Sequence, residues 1–205
     1  MKKKIIVLFA LLTVVLLLFA ACDGTPGVSD LQKYNTMLKA KYSTIQVLIK
    51  TKTATAELDG KFTLTFNGDE TSIDYEFDRI NTFDMEGGNI ADPEDGFIVH
   101  EKGTVVVRNG EILDGDESVE LPLDEISISG YSFKQAFFSN ANIKNAKFEA
   151  DVSNPQKFTG NEALDCTNMH VVVLRNVNTN TLTRMDVTYT AKNGAEVELN
   201  YLFTK

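Results

Sequence analysis

The sequence is short of the residues that most often announce a chemistry. Two cysteines in 205 residues exclude a multi-disulfide scaffold. Two histidines exclude a histidine-rich metal site. Tryptophan is absent, and 20 Lys and Arg are outnumbered by 29 Asp and Glu, for a net charge of −9. Binding a phosphate backbone needs a basic face, so this balance argues against nucleic acid as a partner. What is present is ordinary for a folded protein. Apolar residues make up 43% and charged residues 24%, at a length that suits one domain or a lean pair.

The N-terminus is the exception. Lys2, Lys3 and Lys4 precede Ile5–Ala21, an apolar run of 17 residues broken only by Thr13. A basic segment ahead of an apolar one is the layout of an export signal. At helical rise the run spans roughly 25 Å, short of the about 30 Å of a bilayer core. A cleaved signal is therefore preferred to a permanent transmembrane helix. The run closes on Leu18-Phe19-Ala20-Ala21-Cys22, small residues set just before a cysteine.

That junction resembles the lipobox of bacterial lipoproteins, with Phe19 where the family favours Leu. The resemblance implies that the Cys22 thiol is diacylglycerylated and that the chain is cut just before it. Anchors of two or three acyl chains hold where a single chain is marginal. The expected organisation is a signal peptide over 1–21, lipidated Cys22 with a turn-rich tether over 22–29, and one α+β domain over 30–205. The expected location is extracytoplasmic, with the membrane as partner through Cys22. Loss of Lys2, Lys3 and Lys4 leaves 17 basic residues against 29 acidic ones, a net charge of −12. Such a domain stays soluble and is repelled by anionic headgroups, which suits one standing off a bilayer.

In the mature chain, Ser29 or Asp30 can cap a helix starting at Leu31, with Leu31, Tyr34 and Leu38 on one stripe, ending near Lys41 or Tyr42. Ile45–Lys52 is β-branched and reads as a strand. From there the period is two. Phe62, Leu64 and Phe66, then Ile73, Tyr75 and Phe77, define one apolar face. A connection over 67–70 sets Phe66 opposite Thr71, Leu64 opposite Ile73 and Phe62 opposite Tyr75. Residues 84–96 read as a polar loop. Phe97–His100 and Thr104–Arg108 resume strand character, and Asn109-Gly110 is a hairpin turn that pairs Val107 with Ile112. Val119–Leu121 and Glu125–Ser129 are weaker strand candidates. Tyr131–Asn140 reads as a short helix, with Phe133, Phe137 and Phe138 on one face. Phe148, Ala150 and Val152 alternate until Asn154-Pro155 stops them.

The last third closes as a meander. Met169, Val171 and Val173, then Met185, Val187 and Tyr189, then Val197, Leu199, Tyr201 and Phe203, alternate in turn. A two-residue Asn193-Gly194 turn puts the faces out of phase. A three-residue Lys192-Asn193-Gly194 loop with a bulge pairs Tyr189 with Val197 and Val187 with Leu199. A loop centred on Thr179 pairs Val173 with Met185 and Val171 with Val187. The expected fold is α+β: a curved antiparallel sheet of roughly eight to ten strands. One N-terminal helix and further short helices pack on one of its faces.

This order resembles the LolA/LolB-like lipoprotein-carrier fold, in which a curved antiparallel half-barrel wraps helices on its concave side. Leu182–Tyr189, Asn193-Gly194 and Val197–Phe203 resemble that fold's closing hairpin. The resemblance implies a lipid or acyl chain held between sheet and helices, and carries over no ligand residue.

Other sites are thin. Cys166 and His170, four apart on a strand, stand about 13 Å apart, too far for an ion pair. His100 and His170 read as structural or solvent-facing. Cys166, unpaired if Cys22 is lipidated, reads as a small buried hydrophobe or as the start of an edge strand. Asp92, Glu94 and Asp95, and Asp114, Asp116 and Glu117, match no spaced calcium loop and read as solvated turns. Nothing assembles an acid, a base and a nucleophile, so no enzyme and no cofactor is expected. Tyr131, Phe133, Phe137 and Phe138, with Val187, Leu199 and Tyr201 of the facing sheet, are the candidate lining of a hydrophobic pocket, or ordinary core. The competing expectation is an envelope protein acting through its surface.

Overall fold

The computed structural model describes residues 26–81, 97–109, 111–115, 119 and 121–205. The signal segment, Cys22, the polar loop 84–96 and the acidic positions Asp92, Glu94, Asp95, Asp116 and Glu117 lie outside the described residues.

Helix α1 spans Val28–Leu38 and buries Leu31, Tyr34, Met37 and Leu38. It begins earlier than the expected start at Leu31, because the Gly27 carbonyl accepts the first bonds, from the Asp30 and Leu31 amides. Neither Ser29 nor Asp30 caps it. The Asp30 carboxylate lies in the first turn and accepts from Lys33 Nζ at 2.8 Å. It also ends before Tyr42, whose side chain is needed elsewhere. The Tyr42 hydroxyl donates to the Met37 carbonyl at 2.8 Å and accepts from the Leu182 amide at 3.0 Å.

Ten strands follow: β1 Thr44–Lys52, β2 Ala56–Asn67, β3 Glu70–Asn81, β4 Phe97–Arg108, β5 Glu111–Asp114, β6 Phe138–Lys144, β7 Lys147–Val152, β8 Cys166–Asn176, β9 Thr181–Ala191 and β10 Glu196–Thr204. They form one open, curved antiparallel sheet in the order β5-β4-β3-β2-β1-β10-β9-β8-β7-β6. The expected α+β class and half-barrel architecture are those of the structure. Alternation sets the inner face. Ile45, Val47 and Ile49 of β1 and Val197, Leu199, Tyr201 and Phe203 of β10 are buried between more exposed neighbours.

The registers follow the phase argument. Phe62 faces Tyr75, Leu64 faces Ile73 and Phe66 faces Thr71, and the ladder continues one pair further to Asn67 and Glu70. Val107 faces Ile112, with Asn109 in the left-handed region at φ 53°. Tyr189 faces Val197 and Val187 faces Leu199. The Ala191 amide donates to the Ala195 carbonyl, so the connection is the three-residue loop, with Gly194 at φ 83°. Val173 faces Met185 and Val171 faces Val187.

The first and last strands meet in the middle of the sheet, and each half meanders outward from them. β5 and β6 are opposite edges, and of the residues between them the described stretch 121–137 lies across the inner face. Here three expectations fail. Leu121 is not in a strand, and Glu125–Ser129 gives instead the one-turn helix α2, Leu123–Ile126. The expected helix over Tyr131–Asn140 shrinks to a 3-10 turn at Gln135–Phe137, and Phe138 already begins β6. A chain crossing the face of a sheet has no strand to pair with. Its backbone bonds locally instead, as Ile126 N–H does to the Pro122 carbonyl at 3.0 Å. Asn154-Pro155 ends β7 as expected and opens α3, Pro155–Thr159, with Asn154 as cap and Gly160 closing it at φ 75°.

Candidate functional site

The β6–β10 half of the inner face is filled by aromatic rings. Phe133, 1% exposed, lies 5.4 Å from Phe148, 5.5 Å from Phe158 and Tyr34, and 5.7 Å from Phe138, centroid to centroid. Tyr131 stands edge-on to Phe158 at 5.0 Å and to Tyr201 at 5.8 Å. Asn35 of α1 ties the crossing chain down: its side chain accepts from the Phe133 amide at 2.7 Å and donates to the Phe133 carbonyl at 2.8 Å. The phenols close the layer. Tyr201 donates to the Glu125 carbonyl, and the Tyr131 and Tyr201 hydroxyls are 3.1 Å apart. Burial raises both phenols above their ordinary range, and it pushes Tyr189 up to about 12.

Of the expected pocket residues, the structure thus brings Tyr131, Phe133, Phe138 and Tyr201 into one chain of ring contacts. Val187 and Leu199 lie buried opposite each other on β9 and β10. Phe137 is only half-buried, with Lys134 Nζ 5.5 Å from its ring centroid. None of the seven lines the inner-face cavity or the outer-face cavity.

The inner-face cavity lies in the other half. It has a volume of about 400 Å³ and opens between β1–β3 and the crossing chain. Leu58, Phe62 and Phe77 form its floor, and Leu121, Pro122 and Glu125 its far wall. Thr51, Thr53 and Arg79 stand at the strand ends. Two glycines in the neighbouring strands let rings lie flat on the sheet, Gly60 under Phe62 at the cavity and Gly103 under Tyr75 beside it. A Cβ on Gly60 would stand 2.8 Å from Phe62 Cε2, and one on Gly103 only 2.5 Å from the Tyr75 hydroxyl. The rings of Phe62 and Tyr75 therefore lie close over bare backbone. Arg79 continues the inward parity of Ile73, Tyr75 and Phe77, and its guanidinium lies 5.7 Å from the Phe77 centroid.

The second cavity, about 640 Å³, lies against the outer face, among Lys50, Lys52, Asp59, Asp78, Glu196 and Glu198. Its charges pair locally, Lys50 with Asp59 at 3.3 Å and Lys52 with Glu57.

Both histidines face outward. His100 Nδ1 is 2.6 Å from Asp78. His170 bridges Asp151 at 2.8 Å and Glu149 at 3.4 Å. Cys166 is a half-buried free thiol at the start of β8, and burial, then Asp165, raises it. Among the described residues no three His, Cys, Asp or Glu side chains are placed to hold a metal ion. No described helix is long and apolar enough to cross a membrane.

The sequence matches no protein-family profile and no curated protein. A solved structure of the erythromycin dehydratase aligns over 87% of this chain and 78% of its own, at 13% identity and a TM-score of 0.22. At that TM-score the likeness carries neither fold nor activity to this chain.

The cavity was missed in the sequence because its floor reads as ordinary strand. Two signals pointed to it: a charged residue continuing an apolar parity at Arg79, and a glycine inside a strand at Gly60.

Proposed function

We propose that the protein is an extracytoplasmic lipoprotein, anchored in the cell membrane through acylated Cys22, that binds a hydrophobic ligand between its sheet and the crossing chain. The domain over 30–205 is a carrier or receptor of the lipoprotein-carrier kind, and it acts by holding the ligand, without turnover. The observation that carries this reading is the inner-face cavity, about 400 Å³ with an apolar floor, within the roughly 300–1,000 Å³ range of small-molecule sites. The ligand site is then the Leu58, Phe62 and Phe77 floor, and the Tyr131–Phe133–Phe138 cluster is the packed wall that holds the crossing chain in place.

Action through the surface gains less support. The open edges are β5, of four residues, and β6, whose pairing with β7 slips between Ser139 and Asn142. Short and bulged edges resist strand addition.

The test is native mass spectrometry of the full-length protein released from membranes. A co-purifying lipid is expected, together with acyl mass on the chain that disappears in Cys22→Ala. Repeated release of ligand-free protein overturns the binding reading, and an unacylated Cys22 overturns the anchor.

A further inference from the structure

We infer that the inner-face cavity takes a single-chain anionic amphiphile, a long-chain carboxylate, with its chain along Leu58, Leu121 and Pro122 and its head group on Arg79. This rests on the ligand-binding reading above and names the ligand's chemical class.

Size sets the first limit. About 400 Å³ sits near the lower end of the roughly 300–1,000 Å³ range of ligand sites. It suits one acyl chain better than a two-chain lipid. Charge sets the second. On the outer face of the same strands Lys50 pairs with Asp59, Lys52 with Glu57, and Lys102 with Glu76 at 3.5 Å, while Lys61 is exposed to water. Arg79 stands on the inner face, half-buried, and no carboxylate among the described residues lies within ion-pair distance of it.

Of the two acids that line the cavity, Glu57 is already engaged by Lys52, and Glu125 is exposed on the far wall. A guanidinium half out of water, with no counter-ion among the described residues, favours an anion, and its planar fork matches a carboxylate with two parallel bonds. An uncharged head leaves that fork unused, and a cationic head meets its charge. The geometry also fits an amphiphile. The guanidinium rests beside the Phe77 ring, so the charged end and the apolar floor adjoin.

The experiment uses the full-length protein in liposomes. They are loaded either with palmitic acid bearing a diazirine near the chain end or with the matching hexadecanol. After illumination, cross-links on β2 and β3 are counted by mass spectrometry. In the wild type the acid is expected to label these strands roughly tenfold more than the alcohol. In Arg79→Gln the acid falls to the alcohol's level while alcohol labelling stays unchanged, which shows an intact cavity. Equal labelling by both probes in the wild type, or equal loss of both in Arg79→Gln, overturns the head-group assignment and leaves the cavity reading standing. No labelling of either strand by either probe overturns both.

Discussion

The two halves of one sheet solve the same packing problem differently. Over β6–β10 the inner face meets α1, α3 and the crossing chain, and rings close against rings around Phe133. Over β1–β3 the rings of Phe62 and Phe77 lie near-parallel, 6.1 Å apart at 24°, and a cavity opens beside them, against Leu58, Leu121 and Pro122. The alternation that builds both faces is the same. What differs is the partner above the sheet, which is side chain in one half and in part space in the other.

Aromatic truncation tests this difference most strongly. Phe133→Ala is expected to cost about 3–5 kcal/mol, because the surrounding rings are held by their own strands and cannot collapse into the void. Phe62→Ala is expected to cost measurably less, since among the described residues Phe62 meets one ring, Phe77, where Phe133 meets four. Urea unfolding of the two variants checks the order. Equal losses would mean that the halves are equally packed, and the comparison would break.

Backbone contacts give the next contrast. A Cβ on Gly130 would stand 2.2 Å from the Thr159 carbonyl oxygen, backbone that cannot turn aside. A Cβ on Gly60 meets side chains and no backbone, the Phe62 ring edge at 2.8 Å and Phe77 Cβ at 3.1 Å. Gly130→Ala should then cost about 3 kcal/mol and Gly60→Ala about 1 kcal/mol. In exchange, Gly60→Ala should reduce cavity labelling by the acid probe, because the displaced Phe62 ring occupies the chain's place. Unchanged labelling in Gly60→Ala would show that the ring is not the floor of the site.

How much of this was legible in the sequence follows from how local each determinant is. Hairpin registers were readable because turn length and alternation must agree within a few residues: Phe62 with Tyr75, Val187 with Leu199. The crossing chain was not. Glu125 and Ser127 carry strand-like neighbours, and Phe133, Phe137 and Phe138 carry helical spacing. Yet their conformation is set by the sheet beneath them, through contacts such as Tyr201 to the Glu125 carbonyl. The aromatic cluster was readable as a group but not as wall or core. That distinction depends on Tyr34, Phe148 and Phe158, which arrive from three other elements.

The side chain of Asn35 gives a sharper cut at the packed half. It satisfies both the amide and the carbonyl of Phe133, so Asn35→Ala leaves two backbone groups without their partner. The expected cost is about 2 kcal/mol, read by thermal or urea unfolding. Because the crossing chain is released only at Phe133, acid-probe labelling of β2 and β3 should stay near the wild-type level. A parallel loss of labelling would show that the two halves are coupled through the crossing chain and are not independent.

The smallest expected effect lies on the outer face of the packed half. The Asn140 amide donates to Asp151, and His170 adds to it; both hold the Asp151 carboxyl below its ordinary value. Lys147 does the same for Glu149, with His170 again second. A carboxylate held low in the folded state stabilises it above the unfolded value, about 4 for Asp and Glu. That contribution is lost as pH falls through the lowered folded value. Both groups are at the surface, so solvent screening limits the total to about 0.5 kcal/mol. Urea unfolding from pH 6 to pH 3 is therefore expected to show a small excess stability of the wild type over Asp151→Asn, closing towards pH 3. The difference between the two proteins isolates this carboxylate from the general acid unfolding of a chain with 29 acidic residues. A gap that stays constant across the range would mean that Asp151 contributes by packing on β7 and not by its charge.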